Sequence, residues 1–218
     1  MSLLPSARFH ITVAALSQLP QDGLAEVAFV GRSNAGKSSA INILCNRRRL
    51  AFSSRTPGRT QALNYFSVGP ADRPVAHLVD TPGYGYASAP LETKKTWDQL
   101  AGQYLQLRRQ LAGVVLLVDI RRKLTDLDRR LLGWVPVDVR VAVVLTKSDK
   151  LSRQQATLTR NEVRSELQRI RPGSENHTML FSALNRSGSD ELAQLVENWL
   201  APSPAGPEPL SEGDPSPA

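Results

Sequence analysis

Gly31-Arg32-Ser33-Asn34-Ala35-Gly36-Lys37-Ser38 separates an apolar run, Val27-Ala28-Phe29-Val30, from a segment of helical periodicity, Ser39-Ala40-Ile41-Asn42-Ile43-Leu44. Strand, glycine-bearing turn and helix start are the setting that a G-x-x-x-x-G-K-[ST] pattern needs before it carries chemical meaning. Glycines let the backbone curl so that successive N–H groups point at one anion, and the helix N-terminus adds a favourable dipole. Gly31, Arg32, Ser33, Asn34, Ala35 and Gly36 would cradle phosphates, Lys37 would reach the β- and γ-phosphates, and the Ser38 hydroxyl would bind Mg²⁺. The loop thus implies a nucleoside triphosphate without saying which.

Working outward, the pattern alternates. A strand at 26–30 precedes the loop, and a helix to about Asn46 follows it, closed by Arg47-Arg48-Arg49. Residues 50–62 are polar and turn-forming and read as a mobile loop. Strands at 63–68 and 74–79 are joined by Gly69-Pro70-Ala71-Asp72, a hairpin-like connection. A helix follows at 92–110. Residues 112–119 and 139–145 are near-continuous apolar runs, as expected of parallel strands covered on both faces. Helices at 125–134 and 152–170, a strand at 178–182 and a helix at 187–200 complete the series. Alternation of this kind predicts a three-layer, doubly wound α/β fold, with a mostly parallel six-stranded sheet, one antiparallel edge strand and helices on both faces.

Three units are expected: a lead-in at 1–23, the α/β domain at 24–200, and a tail at 201–218. Phe9, Ile11 and Val13 alternate in the lead-in as a short strand would. The tail holds 6 of the 15 prolines, three acids (Glu208, Glu212, Asp214) and no Lys or Arg, the composition of a disordered segment. The remaining body is therefore more basic than the whole-chain net charge of +7, which favours a polyanionic partner, nucleic acid before membrane. The single cysteine, Cys45, cannot form an internal disulfide, in keeping with a reducing cytoplasm. No apolar run reaches the length of a membrane span, and no signal-peptide pattern opens the chain.

Ligand groups in such a sheet gather at the carboxyl ends of the strands. Asp80 ends one strand and opens Asp80-Thr81-Pro82-Gly83. Its carboxylate can hold the metal through water while the Gly83 N–H faces the γ-phosphate. Thr146-Lys147-Ser148-Asp149 follows another strand. Its terminal carboxylate can accept hydrogen bonds from guanine N1–H and the exocyclic amine, a donor pair that adenine lacks. The Lys147 stem can cover the ring while its amine meets the phosphate-loop backbone. Phe181-Ser182-Ala183 follows the last strand, where a backbone N–H can meet guanine O6.

Together and in this order, these motifs resemble those of the translation-factor-related GTPases over residues 24–200. Gly31–Ser39, Thr56-Pro-Gly-Arg-Thr-Gln61, Asp80-Thr-Pro-Gly-Tyr-Gly-Tyr-Ala87 and the helix bearing Trp97 are more narrowly similar to the EngB family of bacterial GTPases. The resemblance implies hydrolysis of GTP to GDP, assembly of the large ribosomal subunit with rRNA or ribosomal proteins as partners, a role in division-septum formation, and a cytoplasmic monomer. It implies further that Gly58, Arg59, Thr60, Gln61 and Ala62 border the nucleotide, with Thr60 as the switch threonine ligating Mg²⁺ beside Ser38 and Asp80. Lys37, Thr60 and Asn34 are then the catalytic candidates. Related GTPases that use K⁺ in place of an arginine finger carry asparagine at the position of Asn34, which makes K⁺ a second candidate ion. Tyr84 stands where many GTPases place a water-orienting glutamine, so slow intrinsic hydrolysis is expected. In the GTP state Arg55, Arg59, Tyr84 and Tyr86 would present an ordered surface. Two other readings share the loop: a nucleotide-gated RNA-binding module with incidental hydrolysis, and a P-loop nucleotide kinase, which has no use for Thr146–Asp149.

Overall fold

The computed structural model describes residues 2–52, 62–85 and 98–201. Seven strands form one sheet: β1 (Arg8–Val13), β2 (Ala25–Gly31), β3 (Leu63–Val68), β4 (Ala76–Asp80), β5 (Leu111–Asp119), β6 (Arg140–Thr146) and β7 (Asn176–Leu180). Their order is β1-β3-β4-β2-β5-β6-β7. Five strands, from β4 to β7, pair in parallel; β3 is antiparallel to β4 and β1 to β3, which makes the antiparallel edge. The count is seven rather than the expected six because the alternating lead-in adds β1. That strand buries only Val13 fully, so its apolar signal is weak, and its pairing with β3 makes it part of the sheet.

The continuous apolar strands are covered on both sides. Val114, Leu116 and Val118 of β5 enter one core while Val115 and Leu117 enter the other, and β6 divides Val141, Val143 and Leu145 from Ala142 and Val144 in the same way. The first core is roofed by a π turn at Asp98–Gly102 leading into α2 (Gln103–Leu107), by α3 (Asp126–Trp134) and by α4 (Arg153–Ile170). The second is roofed by α1 (Lys37–Leu44) and α5 (Ser189–Leu200). Of the helix expected at 92–110, residues 98–110 are described: they open in a π turn rather than a regular α turn, and the helix stops at Leu107, short of 108–110. Helix α1 ends at Leu44, so none of Arg47, Arg48 or Arg49 lies in its last turn. Among the described residues, no helix is long and apolar enough to cross a membrane.

Strand order places the chemistry. β2 is flanked by β4 on one side and β5 on the other, so the chain changes direction of travel across the sheet there. The loop leaving β2 opens at that switch point, where the carboxyl ends of β2, β4, β5 and β6 converge.

Candidate active site

The loop after β2 has the shape its composition requires. Gly36 sits at the N-cap of α1 with φ 103°, a region that L side chains rarely adopt. Two N–H groups of the loop hold its shape, Ser33 to the Tyr84 carbonyl and Ala35 to the Arg32 carbonyl, each at 3.0 Å. The first-turn N–H groups of α1, Lys37 and Ser38 foremost, have no carbonyl a turn behind them in the helix, the arrangement that suits an anion. Gly83 lies against the loop. A Cβ there would stand 3.1 Å from the Ser33 Cα and 3.3 Å from the Lys37 Nζ, so a side chain would push the loop and its amine away.

Asp80 and Lys37 form the charged centre. Asp80 ends β4, is buried, and its Oδ1 has no hydrogen-bond partner among the described residues. Burial pushes its carboxyl up to about 6, with the Lys37 ammonium opposing; burial likewise draws the Lys37 amine below its ordinary value, with Asp80 opposing. A carboxylate oxygen left unpaired in a buried position is costly unless something binds it. A hard divalent cation suits such an oxygen. Thr81 anchors the segment instead of facing a ligand: its N–H and hydroxyl both donate to the Phe29 carbonyl of β2. Pro82 is buried beside it.

The segment expected to read a base is tied directly to the loop after β2. Lys147 adopts φ 58°, and its Nζ donates to the Asn34 carbonyl at 3.0 Å while pairing with Asp119 at 3.0 Å. The Thr146 hydroxyl donates to the Ala35 carbonyl at 2.7 Å, and the Ser148 N–H to the Phe181 carbonyl. Asp149 accepts from the Ser182 hydroxyl at 2.5 Å. That bond, seconded by Lys150, holds its carboxyl below the ordinary range and fixes its orientation. The Phe181 N–H donates to Leu145 and the Ser182 N–H to Ser187, which leaves the exposed Ala183 to offer its N–H to a base.

Asp119 plays a part the sequence reading did not assign. It ends β5 as Asp80 ends β4, and its carboxylate accepts from Arg121 and Lys147. Arg121 foremost, with Lys147, holds it well below the usual carboxylate range. The available signal was a charged residue closing a buried apolar run. A cavity of about 270 Å³ opens beside this pair, bordered by Asn34, Asp119, Arg121, Lys123 and Lys147. Tyr84 departs from expectation: it is 7% exposed and donates its hydroxyl proton to Asp128 at the start of α3, so it belongs to the interior rather than to a partner surface. Asn34 is exposed with φ 63°. Ala62 is half-buried just before β3. Gly58, Arg59, Thr60 and Gln61, and with them Arg55 and Tyr86, lie outside the described residues.

The glycine-bearing loop at the switch point, tied through Lys147 to the end of β5 and through Thr146 to the end of β6, agrees with the class that comparison with known proteins shows, the P-loop GTPases. The family model described as 50S ribosome-binding GTPase matches residues 26–147. Proteins described as probable GTP-binding protein EngB are close relatives: that of Paraburkholderia phymatum is 53% identical over 208 residues, with 94% of each chain covered. The counterpart from Paraburkholderia phytofirmans is 52% identical over 208 residues, covering 94% of this chain and 96% of its own. A crystal structure of a probable GTP-binding protein engB shares the fold at TM-score 0.57 and 19% identity, over 81% of this chain and 98% of that one. The chain belongs to the EngB family of GTP-binding proteins.

Proposed function

We propose that this protein hydrolyses GTP to GDP and phosphate and acts as a nucleotide-gated switch on the large ribosomal subunit or its precursors. The observation that carries hydrolysis is the buried, unpaired Oδ1 of Asp80 beside Lys37 and Gly83. A structural carboxylate in the interior would have found a donor. The ribosomal partner rests on the description of the matching family model and on the basic body of the chain. The wider reading is a cytoplasmic monomer whose support of ribosome supply is needed for normal division-septum formation.

Ser38 and Asp80 would hold Mg²⁺, with Thr60 as the switch ligand, and the bound ion would neutralise charge on the β- and γ-phosphate oxygens. Lys37 would bind the same oxygens from the loop, and the Gly83 N–H would register the presence of the γ-phosphate. When that phosphate leaves, the contacts of Thr60 and Gly83 are lost and the two segments relax. Asp149 would select guanine. With Tyr84 turned into the core, this chain brings no side chain of that residue to orient the attacking water. Intrinsic turnover is therefore expected on the order of 10⁻⁴–10⁻² s⁻¹, rising by ~10³–10⁵ when a partner or a cation supplies positive charge at the phosphates. Asn34 is the residue proposed to help place K⁺ there.

The test is phosphate release measured with and without large ribosomal subunits, in KCl and in NaCl, beside cosedimentation in GDP, GTP and a non-hydrolysable analogue. The switch reading expects stronger cosedimentation with the analogue than with GDP and faster release when subunits are present. Nucleotide-independent cosedimentation would sink it, and equal rates in the two salts would remove the role of K⁺.

A further inference from the structure

Away from the nucleotide, His10, Asp22 and His77 bring one ligand atom each to within 4.8 Å of one another. They come from three separate places: β1, the turn before β2, and the second residue of β4. His77 is fully buried and its Nε2 lies 2.8 Å from Asp22 Oδ2, while its Nδ1 lies 3.4 Å from the Ser67 hydroxyl. His10 stacks on it, ring centroids 5.1 Å apart and planes 30° from parallel.

The backbone is shaped to deliver His10 to this spot. Pairing between β1 and β3 runs Phe9 with Phe66 and then Ile11 with Tyr65, so His10 is the extra residue of a β-bulge. Bulges re-aim a side chain that regular pleating would send elsewhere. A purely structural buried histidine needs one carboxylate and one hydroxyl, and His77 already has both. A second imidazole stacked on it, with its nitrogen turned into the same small space, adds a donor atom that this role does not require.

We infer that His10, Asp22 and His77 form a site for a borderline divalent transition metal, Zn²⁺ in the first instance. Two imidazole nitrogens and one carboxylate oxygen suit Zn²⁺ and its neighbours, whereas Mg²⁺ and Ca²⁺ take oxygen ligands. Tetrahedral Zn²⁺ with bonds of about 2.0–2.2 Å wants ligand atoms about 3.3–3.5 Å apart. The closure needed from the present spacing falls to His10 and Asp22, both exposed, around a fixed His77. The Ser67 hydroxyl accommodates the change of tautomer. It donates to Nδ1 while Nε2–H faces Asp22, and accepts from Nδ1–H once Nε2 binds the ion. The Nε2 proton passes to solvent and Nδ1 takes one up in exchange, so His77 binds as a neutral imidazole with no net release of a proton. Three protein ligands leave a fourth position for water. Bound there, the ion would clamp β1 and the turn before β2 onto β4, three residues upstream of Asp80.

The experiment uses the full-length, untagged, metal-free chain loaded with GDP and Mg²⁺, so that Ser38 and Asp80 are occupied. Zn²⁺ is titrated calorimetrically and against a chromophoric chelator, and Tm is followed in parallel. One equivalent is expected with a Kd of micromolar or tighter, together with a rise in Tm of a few degrees. His10→Ala, an exposed change that leaves the core intact, is expected to weaken binding at least tenfold and abolish the Tm rise, and Asp22→Asn to weaken it as well. His177→Ala, at the histidine beside Glu175, is expected to bind as the wild type does. Absence of a stoichiometric equivalent in the wild type, or wild-type affinity in His10→Ala, would overturn the site.

Discussion

At the scale of single residues, carboxylates at or just beyond the strand ends do most of the work, and their surroundings assign them different tasks. Asp80 is unpaired, Asp119 is saturated by two cations, and Asp149 is aimed by Ser182. On the proposed function, removing Asp149 deletes two charge-assisted hydrogen bonds to guanine, each worth roughly 1.5–3 kcal/mol. Asp149→Ala should therefore weaken GDP and GTP by ~10²–10⁴, while Ser182→Ala, which frees the carboxylate to turn, should lose about tenfold. Titration of a fluorescent guanine nucleotide checks both, and an Asp149→Ala affinity within threefold of wild type would defeat the base-reading role. Asp119 makes a pH prediction. Its folded pKa is depressed, so its contribution is complete above the unfolded value of about 4 and is lost as pH falls through the folded value. Asp119→Asn should cost about 1–3 kcal/mol at pH 7, and urea midpoints of variant and wild type should converge below pH 4. A gap that stays constant with pH would contradict the assignment. Asp80 and Asp149 were legible from sequence because motifs of fixed spacing surround them. Asp119 was not, because Asp-Ile-Arg-Arg has no such spacing and its lysine partner lies 28 residues on.

At the scale of elements, burial on both faces is what made β2, β5 and β6 readable as apolar runs, whereas the wet edge of β1 let it read as a short strand of the lead-in without its place in the sheet. Position 84 needed the fold itself. A tyrosine after Asp-Thr-Pro-Gly looks like a surface aromatic until α3 is seen to set Asp128 beneath it. Asp128, 1% exposed, caps α3 by accepting from the Thr125 N–H and hydroxyl with one oxygen and from Tyr84 with the other. The Tyr84 hydroxyl thus joins the segment that follows β4 to the helix that starts after β5. Tyr84→Phe would leave one oxygen of a buried carboxylate without its donor, a cost of roughly 1–3 kcal/mol. At about 2–4 °C per kcal/mol for a chain of this size, Tm should fall by some degrees with no change in guanine-nucleotide affinity. Unaltered Tm would mean that Asp128 finds another donor. Tyr84→Gln should likewise fail to raise the rate of phosphate release, because that position faces the core and not the reacting water.

At the scale of the whole molecule, charge decides how a polyanion would be met, and the fold lowers the charge on offer. The sequence shows basic pairs at Arg108-Arg109, Arg121-Arg122 and Arg129-Arg130. In each pair one member turns to an acid: Arg108 to buried Glu26, Arg121 to Asp119, and Arg129 to Asp126 and Glu166. Arg109, Arg122 and Arg130 remain exposed with no acidic partner among the described residues. If rRNA phosphates are the main contact, those three are what these pairs leave for it, beside exposed arginines elsewhere such as Arg47, Arg48 and Arg49. Each phosphate neutralised contributes a slope of about −0.7 to −0.9 in log affinity against log salt. In the GTP-analogue state these three should therefore contribute roughly −2 to −3 to the slope for large subunits, not the steeper value that counting both members of every pair would suggest. Ala at Arg109, Arg122 or Arg130 should each flatten the slope by about 1. Ala at Arg121 or Arg129 should lower stability and leave the slope alone, because those charges are already neutralised within the fold. Salt-insensitive binding, or equal flattening by both sets of variants, would place the docking contact on ribosomal protein rather than on RNA phosphate.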